Sequence, residues 1–268
     1  MTGLGERAIG RGLILAPSRP VIFNLMNIKL AIEYDGTNYH GWQVQPNGQT
    51  IQEILELALE KLLGVRCRIN GSGRTDAGVH ALGQVANFIC PDPVDLRRLH
   101  KGLNALTPAD IVVKEVESVP DSFDARRDAK SRIYLYRIWN RRVPSAFHRR
   151  FSWHVYEALD LSSMQEAIRC LEGEHNFASF QAAGCEARHA VRTVYANSFD
   201  CEGDFLVYSI EATAFLRHMV RNIVGTLVEV GRGERSPADF TGLLAAQDRT
   251  LAGPTAPAQG LFLAEVKY

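Results

Sequence analysis

Strand-like segments follow one another in this chain without a helix between them, and that order limits the folds it can adopt. Residues 191–199 and 205–212 alternate apolar and polar side chains and are separated by a turn at Glu202-Gly203-Asp204. Residues 111–119 and 132–140 are also strand-like, with only a polar, charged segment between them. Parallel neighbours need a crossover connection, usually a helix, whereas antiparallel neighbours need only a turn. The sequence therefore predicts an α+β fold with a largely antiparallel sheet.

The most clearly marked helix begins after Thr50. Thr50 precedes Glu53 by three residues, which is the spacing of a capping box, and apolar residues follow at helical spacing as far as Leu63. Gly64 can end the helix in the left-handed conformation. We expect a strand over residues 65–69, directly after this helix.

A second core helix is predicted near the C-terminus, over residues 214–230. Apolar residues repeat there at helical spacing, and Gly231 can end the helix. Arg217 and Arg221 are one turn apart and would share a face. An arginine at the border of a buried stripe usually needs a carboxylate partner, because an unpaired buried charge is costly. Two solvent-facing arginines fit the pattern equally well.

The length of the chain, 268 residues, allows one large domain or two modest ones. Residues 120–128 are polar and charged, and they are the best candidate for a connection between domains. We therefore expect an N-terminal α+β domain over residues 26–120, which carries the glycine-rich loop described below. A C-terminal α+β domain would then occupy residues 128–268.

Residues 1–25 and the cysteines bear on the compartment of the protein. Prolines interrupt the apolar residues of the N-terminal segment and no small-residue cleavage site follows, so we expect a disordered extension or a misassigned start. No run approaches the ~20 apolar residues that a membrane span needs. The five cysteines are far apart and form no CxxC pair, which suggests neither a metal site nor a disulfide framework. We expect a cytoplasmic protein without a membrane segment.

The charges of the chain balance overall but are segregated locally. The 30 basic and 30 acidic residues argue against a uniformly basic surface for nucleic acid. Between residues 126 and 150, however, the only acidic residue is Asp128. The cationic residues of this basic segment are Arg126, Arg127, Lys130, Arg132, Arg137, Arg141, Arg142, Arg149 and Arg150, interleaved with Tyr134, Tyr136, Trp139 and Phe147. Cations neutralise phosphates and aromatic rings stack on unpaired bases, so RNA binding is one interpretation. A solvated strand face with core aromatic residues is an equal alternative.

A glycine-rich loop at residues 71–78 is the first candidate for a catalytic site. Its three glycines surround Arg74 and Asp76 and allow backbone conformations and close ligand approach that few other residues permit. The spacing matches neither a dinucleotide-binding nor a Walker loop. A carboxylate on such a loop could act as nucleophile or general base, although Asp76 could also merely cap its own turn. His80 and His218 stand alone in the sequence and are interpreted as structural residues.

Several segments together resemble the tRNA pseudouridine synthase A family. They are Tyr34-Asp35-Gly36-Thr37-Asn38-Tyr39-His40-Gly41-Trp42-Gln43, Gly73-Arg74-Thr75-Asp76-Ala77-Gly78-Val79-His80-Ala81, Phe123-Asp124-Ala125-Arg126, Lys130 with Tyr134 and Tyr136, His218-Met219-Val220-Arg221-Asn222-Ile223-Val224-Gly225, and Ala256-Pro257-Ala258-Gln259-Gly260-Leu261. The block around Asp76 is the most specific of them. The matches lie in the family's order and span nearly everything after Met26, whereas residues 1–25 depart from the pattern.

This resemblance implies a homodimeric enzyme that isomerises uridine to pseudouridine in the anticodon stem-loop of tRNA, at tRNA positions 38, 39 and 40. The implied fold has two similar α/β halves with largely antiparallel sheets flanked by helices, around a central RNA-binding cleft. No cofactor and no metal are expected, because the reaction involves neither a redox change nor an external group.

The resemblance also implies roles for individual residues. Asp76 matches the catalytic nucleophile, Tyr134 the tyrosine that stacks on the flipped-out uracil, and Arg221 the basic partner of the carboxylate. Arg74 matches the arginine that helps to displace the base. Two segments match tRNA contacts: Phe123, Asp124, Ala125, Arg126 and Arg127 in the first, and Gly184, Cys185, Glu186, Ala187 and Arg188 in the second.

Two other functions would use the same residues. A non-catalytic RNA-binding or tRNA-folding module would need the cleft but not the chemistry of Asp76. A hydrolase acting on the glycosidic bond would need Asp76 but would release free uracil.

Overall fold

The computed structural model describes residues 25–184 and 189–268. Apart from Leu25, the predicted disordered extension lies outside these residues. The described strands are β1 (Met26–Tyr34), β2 (Asn70–Gly71), β3 (His80–Cys90), β4 (Ile111–Val119), β5 (Ser131–Trp139), β6 (Trp153–His154), β7 (Gly173–Asn176), β8 (Val191–Glu202), β9 (Phe205–Ala212) and β10 (Leu261–Lys267). The described α-helices are α1 (Ile51–Leu63), α2 (Leu96–Leu106), α3 (Leu161–Ile168), α4 (Met219–Gly231) and α5 (Pro237–Ala246).

All of these strands belong to one sheet, in which neighbours follow the order β4-β1-β3-β10-β5-β9-β8-β7. The short strands β2 and β6 pair with β3 and β5. Within the described residues only β10–β3 and β5–β6 are parallel pairs. The predicted α+β class with a largely antiparallel sheet is therefore confirmed. The C-terminal strand β10 lies between β3 and β5, so the two expected domain ranges contribute to a single sheet.

The register of the central strands places two tyrosines on one face of the sheet. Tyr34 pairs with Ala81, Ala81 with Leu263, and Leu263 with Tyr134. Side chains of directly paired residues point to the same side of a sheet. Tyr34 from β1 and Tyr134 from β5 therefore stand on the same face, with two strands between them.

The helices cover this face and leave the other partly open. Helix α2 packs against β4 and α1, whereas α3 packs against α4, α5 and β8. Strand β5 shows the division between the two faces, because Tyr134, Tyr136 and Ile138 are buried while the alternate positions are half-buried. Among the described residues, no helix is both long and apolar enough to cross a membrane.

Helix α1 begins and ends where its caps predicted. The Thr50 hydroxyl accepts a hydrogen bond from the Glu53 N–H, and Gly64 is left-handed with a φ of 72°. The strand predicted over residues 65–69 is wrong, because the backbone there bonds to side chains of α1. The Ile69 N–H donates to Glu56 Oε1, and the Ile69 carbonyl accepts from Gln52 Nε2.

Helix α4 begins later than predicted, at Met219 rather than near residue 214. The Arg217 carbonyl accepts a hydrogen bond from the Ala182 N–H, and His218 adopts the left-handed conformation just before the helix. The prediction that Arg217 and Arg221 share a face of one helix is therefore wrong. Apolar periodicity marks the buried stripe of a helix, but it does not mark where its hydrogen bonds begin.

The segment that leads to β10 lies directly against α4. A Cβ atom built on Gly225 would lie 1.7 Å from the Pro254 carbonyl oxygen. The Gly253 N–H donates to Thr226 Oγ1, and the Ala256 N–H donates to the Arg221 carbonyl. Only glycine at position 225 permits this approach of two backbones.

Replacing Gly225 with alanine should therefore destabilise the fold. Its methyl group would meet backbone rather than a movable side chain, so we expect Gly225→Ala to lower the free energy of unfolding by about 3 kcal/mol or more. The control is Gly242→Ala in α5, where a Cβ meets nothing within 4 Å. That variant should be as stable as the wild type or gain up to ~1 kcal/mol. Urea unfolding of the variants measures both changes, and equal stability of the two would contradict the proposed contact.

Candidate active site

The glycine-rich loop is held on several sides by neighbouring elements. The Thr75 carbonyl accepts a hydrogen bond from the Trp42 N–H, and the Thr75 hydroxyl lies 2.7 Å from the Tyr34 hydroxyl. The Gln84 side chain donates to the Gly73 carbonyl and accepts from the Ser72 hydroxyl. These contacts leave the loop little freedom, so the side chain that it presents is fixed in place.

Asp76 is that side chain, and it is bonded to Arg221 from helix α4. Arg221 Nη1 lies 3.2 Å from Asp76 Oδ2, while Arg221 Nε donates to the Ala256 carbonyl at 2.7 Å. The exposed fractions of the two side chains are 28% for Asp76 and 15% for Arg221. A guanidinium beside a partly buried carboxylate favours its ionised form, which is the form that can act as a nucleophile.

His218 is a third member of this cluster. Its Nε2 lies 3.4 Å from Asp76 Oδ2. Burial lowers the pKa of the imidazole, the Asp76 carboxylate opposes that change, and nearby guanidiniums reinforce it. Sequence reasoning treated His218 as a structural residue and missed this contact. The only available signal was its position three residues before Arg221, which means little until the start of α4 is known.

Tyr134 lies close to this cluster on the covered face of the sheet. Its ring packs edge-on against Phe215, with ring centres 4.9 Å apart. Burial raises the pKa of the Tyr134 hydroxyl far above its usual value, and the charges of Tyr34 and Asp76 add to that effect. The phenol is therefore neutral at physiological pH. Asp76, Arg221 and Tyr134 thus lie together, and Arg74 is an exposed residue on the same loop as Asp76.

The first segment expected to contact tRNA is mostly occupied with internal contacts. The Phe123 carbonyl accepts from Asn27 and Asn87 side chains, and the buried Ala125 donates its N–H to Asn87. Asp124 accepts hydrogen bonds from the N–H groups of the two residues after Ala125. The side chains that this segment exposes to solvent are those of the two arginines at positions 126 and 127.

The second expected tRNA-contact segment is described only at its first residue. Gly184 is exposed and left-handed, with a φ of 70°. The other four residues, Cys185, Glu186, Ala187 and Arg188, lie outside the described part of the chain.

Arg132 departs from the interpretation of residues 126–150 as a basic surface segment. It is buried, and its guanidinium donates to four backbone carbonyls rather than to a carboxylate. The acceptors are Ser72, Arg126, Ala129 and Thr213. Ser72 belongs to the glycine-rich loop and Thr213 follows β9, so the Arg132 side chain joins the two halves of the fold.

Other members of the basic segment are also committed to contacts within the protein. Arg150 pairs with Asp35 at 2.8 Å, Arg141 pairs with Asp204, and the Arg137 guanidinium lies 5.1 Å from the Phe262 ring centre. Of the aromatic residues, Tyr134 and Tyr136 are buried, whereas Phe147 is 89% exposed. The alternative of a strand face with core aromatic residues therefore holds for the buried and paired members, and RNA binding by the exposed members stays a prediction.

A sequence profile described as tRNA pseudouridine synthase matches residues 30–128 and 167–268. The chain belongs to this family, and the expectation of a tRNA-modifying isomerase is thereby confirmed. A protein named tRNA pseudouridine synthase A from Myxococcus xanthus is 48% identical over 242 residues, which cover 90% of this chain and 91% of that protein. Proteins of the same name from Geotalea uraniireducens and Geobacter sulfurreducens are 48% and 47% identical over 244 residues, which cover 91% of this chain and 100% of each of them.

Removing the Arg132 guanidinium should destabilise the protein, because four buried or partly buried carbonyls would lose a donor. We expect Arg132→Met to lower the free energy of unfolding by at least about 3 kcal/mol. The control Arg142→Met, at an exposed position of the same basic segment, should stay within ~0.5 kcal/mol of the wild type. Urea unfolding measures both variants. A small effect of Arg132→Met would mean that Arg132 is dispensable for joining the two halves.

Proposed function

We propose that this chain converts uridine to pseudouridine in the anticodon stem-loop of tRNA, and that Asp76 is the nucleophile. The observation that carries the proposal is the contact of Asp76 with Arg221, formed beside Tyr134 on a rigid loop. Family membership supports the reaction, and the motif match supports the assignment of Asp76 to it. The enzyme would act as a cytoplasmic homodimer, as the resemblance to the family implies.

The reaction can be written with every atom accounted for. The ionised carboxylate of Asp76 attacks the target nucleotide, and the bond between N1 of uracil and C1′ of ribose breaks. The uracil then turns within the site, C5 forms the new bond to C1′, and the bond between Asp76 and the nucleotide breaks, which regenerates the carboxylate. C5 loses a proton and N1 gains one, so the product has the mass of the substrate. No electron leaves the system, and no external group is transferred.

Arg221 keeps the nucleophile in its reactive form. Arg221 Nη1 lies 3.2 Å from Asp76 Oδ2, and at that distance opposite charges attract each other. The Ala256 carbonyl orients the guanidinium, so the charge does not depend on a flexible side chain finding its partner.

Tyr134 provides a surface for the extruded base. Reaching the target requires its removal from the stacked strand, at a cost of a few kcal/mol. An aromatic ring that stacks on the uracil offsets part of that cost, and Phe215 supports the Tyr134 ring from its edge. Arg74 is exposed two residues from Asp76 and would enter the space that the base leaves.

Asp76→Asn should bind tRNA but form no pseudouridine. The amide is nearly the same size but is a poor nucleophile, so we expect the single-turnover rate to fall by at least ~1,000-fold. Release of tritium from tRNA that contains 5-labelled uridine measures the rate. The control Asp92→Asn changes an exposed carboxylate at the end of β3 and should react at the wild-type rate.

Tritium release and the mass of the tRNA together separate the proposed function from its two alternatives. An RNA-folding module would show no tritium release by the wild-type protein. A hydrolase would produce free uracil and an abasic tRNA, whereas isomerisation leaves the mass of the tRNA unchanged. Wild-type product formation by Asp76→Asn would refute Asp76 as the nucleophile.

Charge reversal at Arg126 should weaken tRNA binding and reduce its salt dependence. Each phosphate contact contributes about one unit to the slope of log affinity against log salt concentration, so Arg126→Glu should lower that slope by about 1. The control Arg97→Glu places the same charge change on the exposed start of α2. Filter binding at several salt concentrations measures the slopes, and an unaltered slope for Arg126→Glu would argue against a phosphate contact.

A further inference from the structure

His218 has an unusual backbone conformation at the edge of the active site. Its φ is 61°, and Gln247 is the only other non-glycine residue with positive φ in the described part of the chain. His218 stands at the N-cap position of α4, but its side chain forms no capping hydrogen bond there. The left-handed region is strained for a residue with a Cβ, and such strain tends to persist where it serves a function.

The imidazole of His218 contacts the same carboxylate oxygen as Arg221. Nε2 of His218 lies 3.4 Å from Asp76 Oδ2, and Nη1 of Arg221 lies 3.2 Å from that oxygen. Within the described residues, both of these side-chain contacts of Asp76 therefore end on Oδ2. Arg221 donates a hydrogen bond to Oδ2, and the His218 nitrogen lies within contact distance of the same oxygen. An oxygen held by polar partners is less nucleophilic than its neighbour, so Oδ1 is the better candidate for attack.

The charges around His218 favour a neutral imidazole. After burial, Asp76 is the neighbour that raises its pKa, while the guanidiniums of Arg221, Arg217 and Arg249 lower it. The net direction is downward from the usual value, so the ring carries no charge at neutral pH. A neutral ring protonated on Nε2 can donate a hydrogen bond to Asp76 without adding another cation to a site that already holds three.

We propose that His218 is a positioning residue for the nucleophile: its Nε2–H donates to Oδ2, and together with Arg221 it turns Oδ1 toward the target uridine. This inference rests on the proposed role of Asp76. It also gives a reason for the left-handed backbone, which places the imidazole at the carboxylate instead of on the end of α4.

The test compares three variants of His218 with a matched control. His218→Ala removes the donor and keeps the strain, His218→Gly removes both, and His218→Gln restores an N–H donor. Gln247→Gly relieves the same type of strain at the end of α5, outside the active site. Single-turnover rates at saturating enzyme report the chemical step, tRNA binding is measured separately, and thermal unfolding verifies that each variant is folded.

We expect His218→Ala and His218→Gly to slow the chemical step by about 10–100-fold with little change in tRNA affinity, since a misplaced nucleophile loses rate rather than binding. His218→Gln should recover part of the rate, and Gln247→Gly should react like the wild type.

Two results would overturn the inference. If His218→Gly restored the rate that His218→Ala loses, the loss would come from backbone strain and not from the imidazole. If both variants kept the wild-type rate, the contact would have no role in the reaction. Asp76→Asn in the same assay separates the two proposals: an inactive Asp76→Asn beside unaffected His218 variants would refute only the role of His218. An active Asp76→Asn would refute both.

Discussion

The candidate active site depends on an ion pair between two side chains that are 145 residues apart in the sequence. Asp76 lies on a loop held by β1 and β3, whereas Arg221 lies on a helix that covers the other half of the sheet. The pair can form only when both halves are packed correctly. Correct folding and formation of the candidate site are therefore linked through one contact, because an unpaired charge that is partly removed from water is costly.

The surrounding structure fixes the distance between these two charges. Strand β10 joins the two halves by pairing with β3 on one side and β5 on the other. Arg132 donates hydrogen bonds to carbonyls from both halves, including that of Ser72 in the glycine-rich loop. The close approach at Gly225 brings Ala256 to α4, where its carbonyl holds the Arg221 guanidinium. Each of these contacts restricts the motion of one half of the sheet relative to the other.

Much of the fold could be predicted because it rests on contacts between residues close in the sequence. The Thr50 cap and the Gly64 stop are examples, and each was predicted where it occurs. The errors came where distant groups compete for the backbone. Residues 65–69, predicted as a strand, instead form hydrogen bonds to side chains of α1. Helix α4 begins later than predicted because the Arg217 carbonyl accepts a hydrogen bond from the Ala182 N–H.

The candidate site likewise has features that the sequence predicted and features that depend on contacts between distant residues. Motifs read from the sequence were enough to single out Asp76, Tyr134 and Arg221, because these residue types occur in segments that match a known family. They did not reveal that Arg132 is buried among carbonyls or that His218 contacts Asp76. A linear pattern specifies which residues are present and which local hydrogen bonds they form. The partner of a long side chain is decided only when strands and helices from distant parts of the chain pack together, since that packing sets which charges lose water and which groups remain to satisfy them.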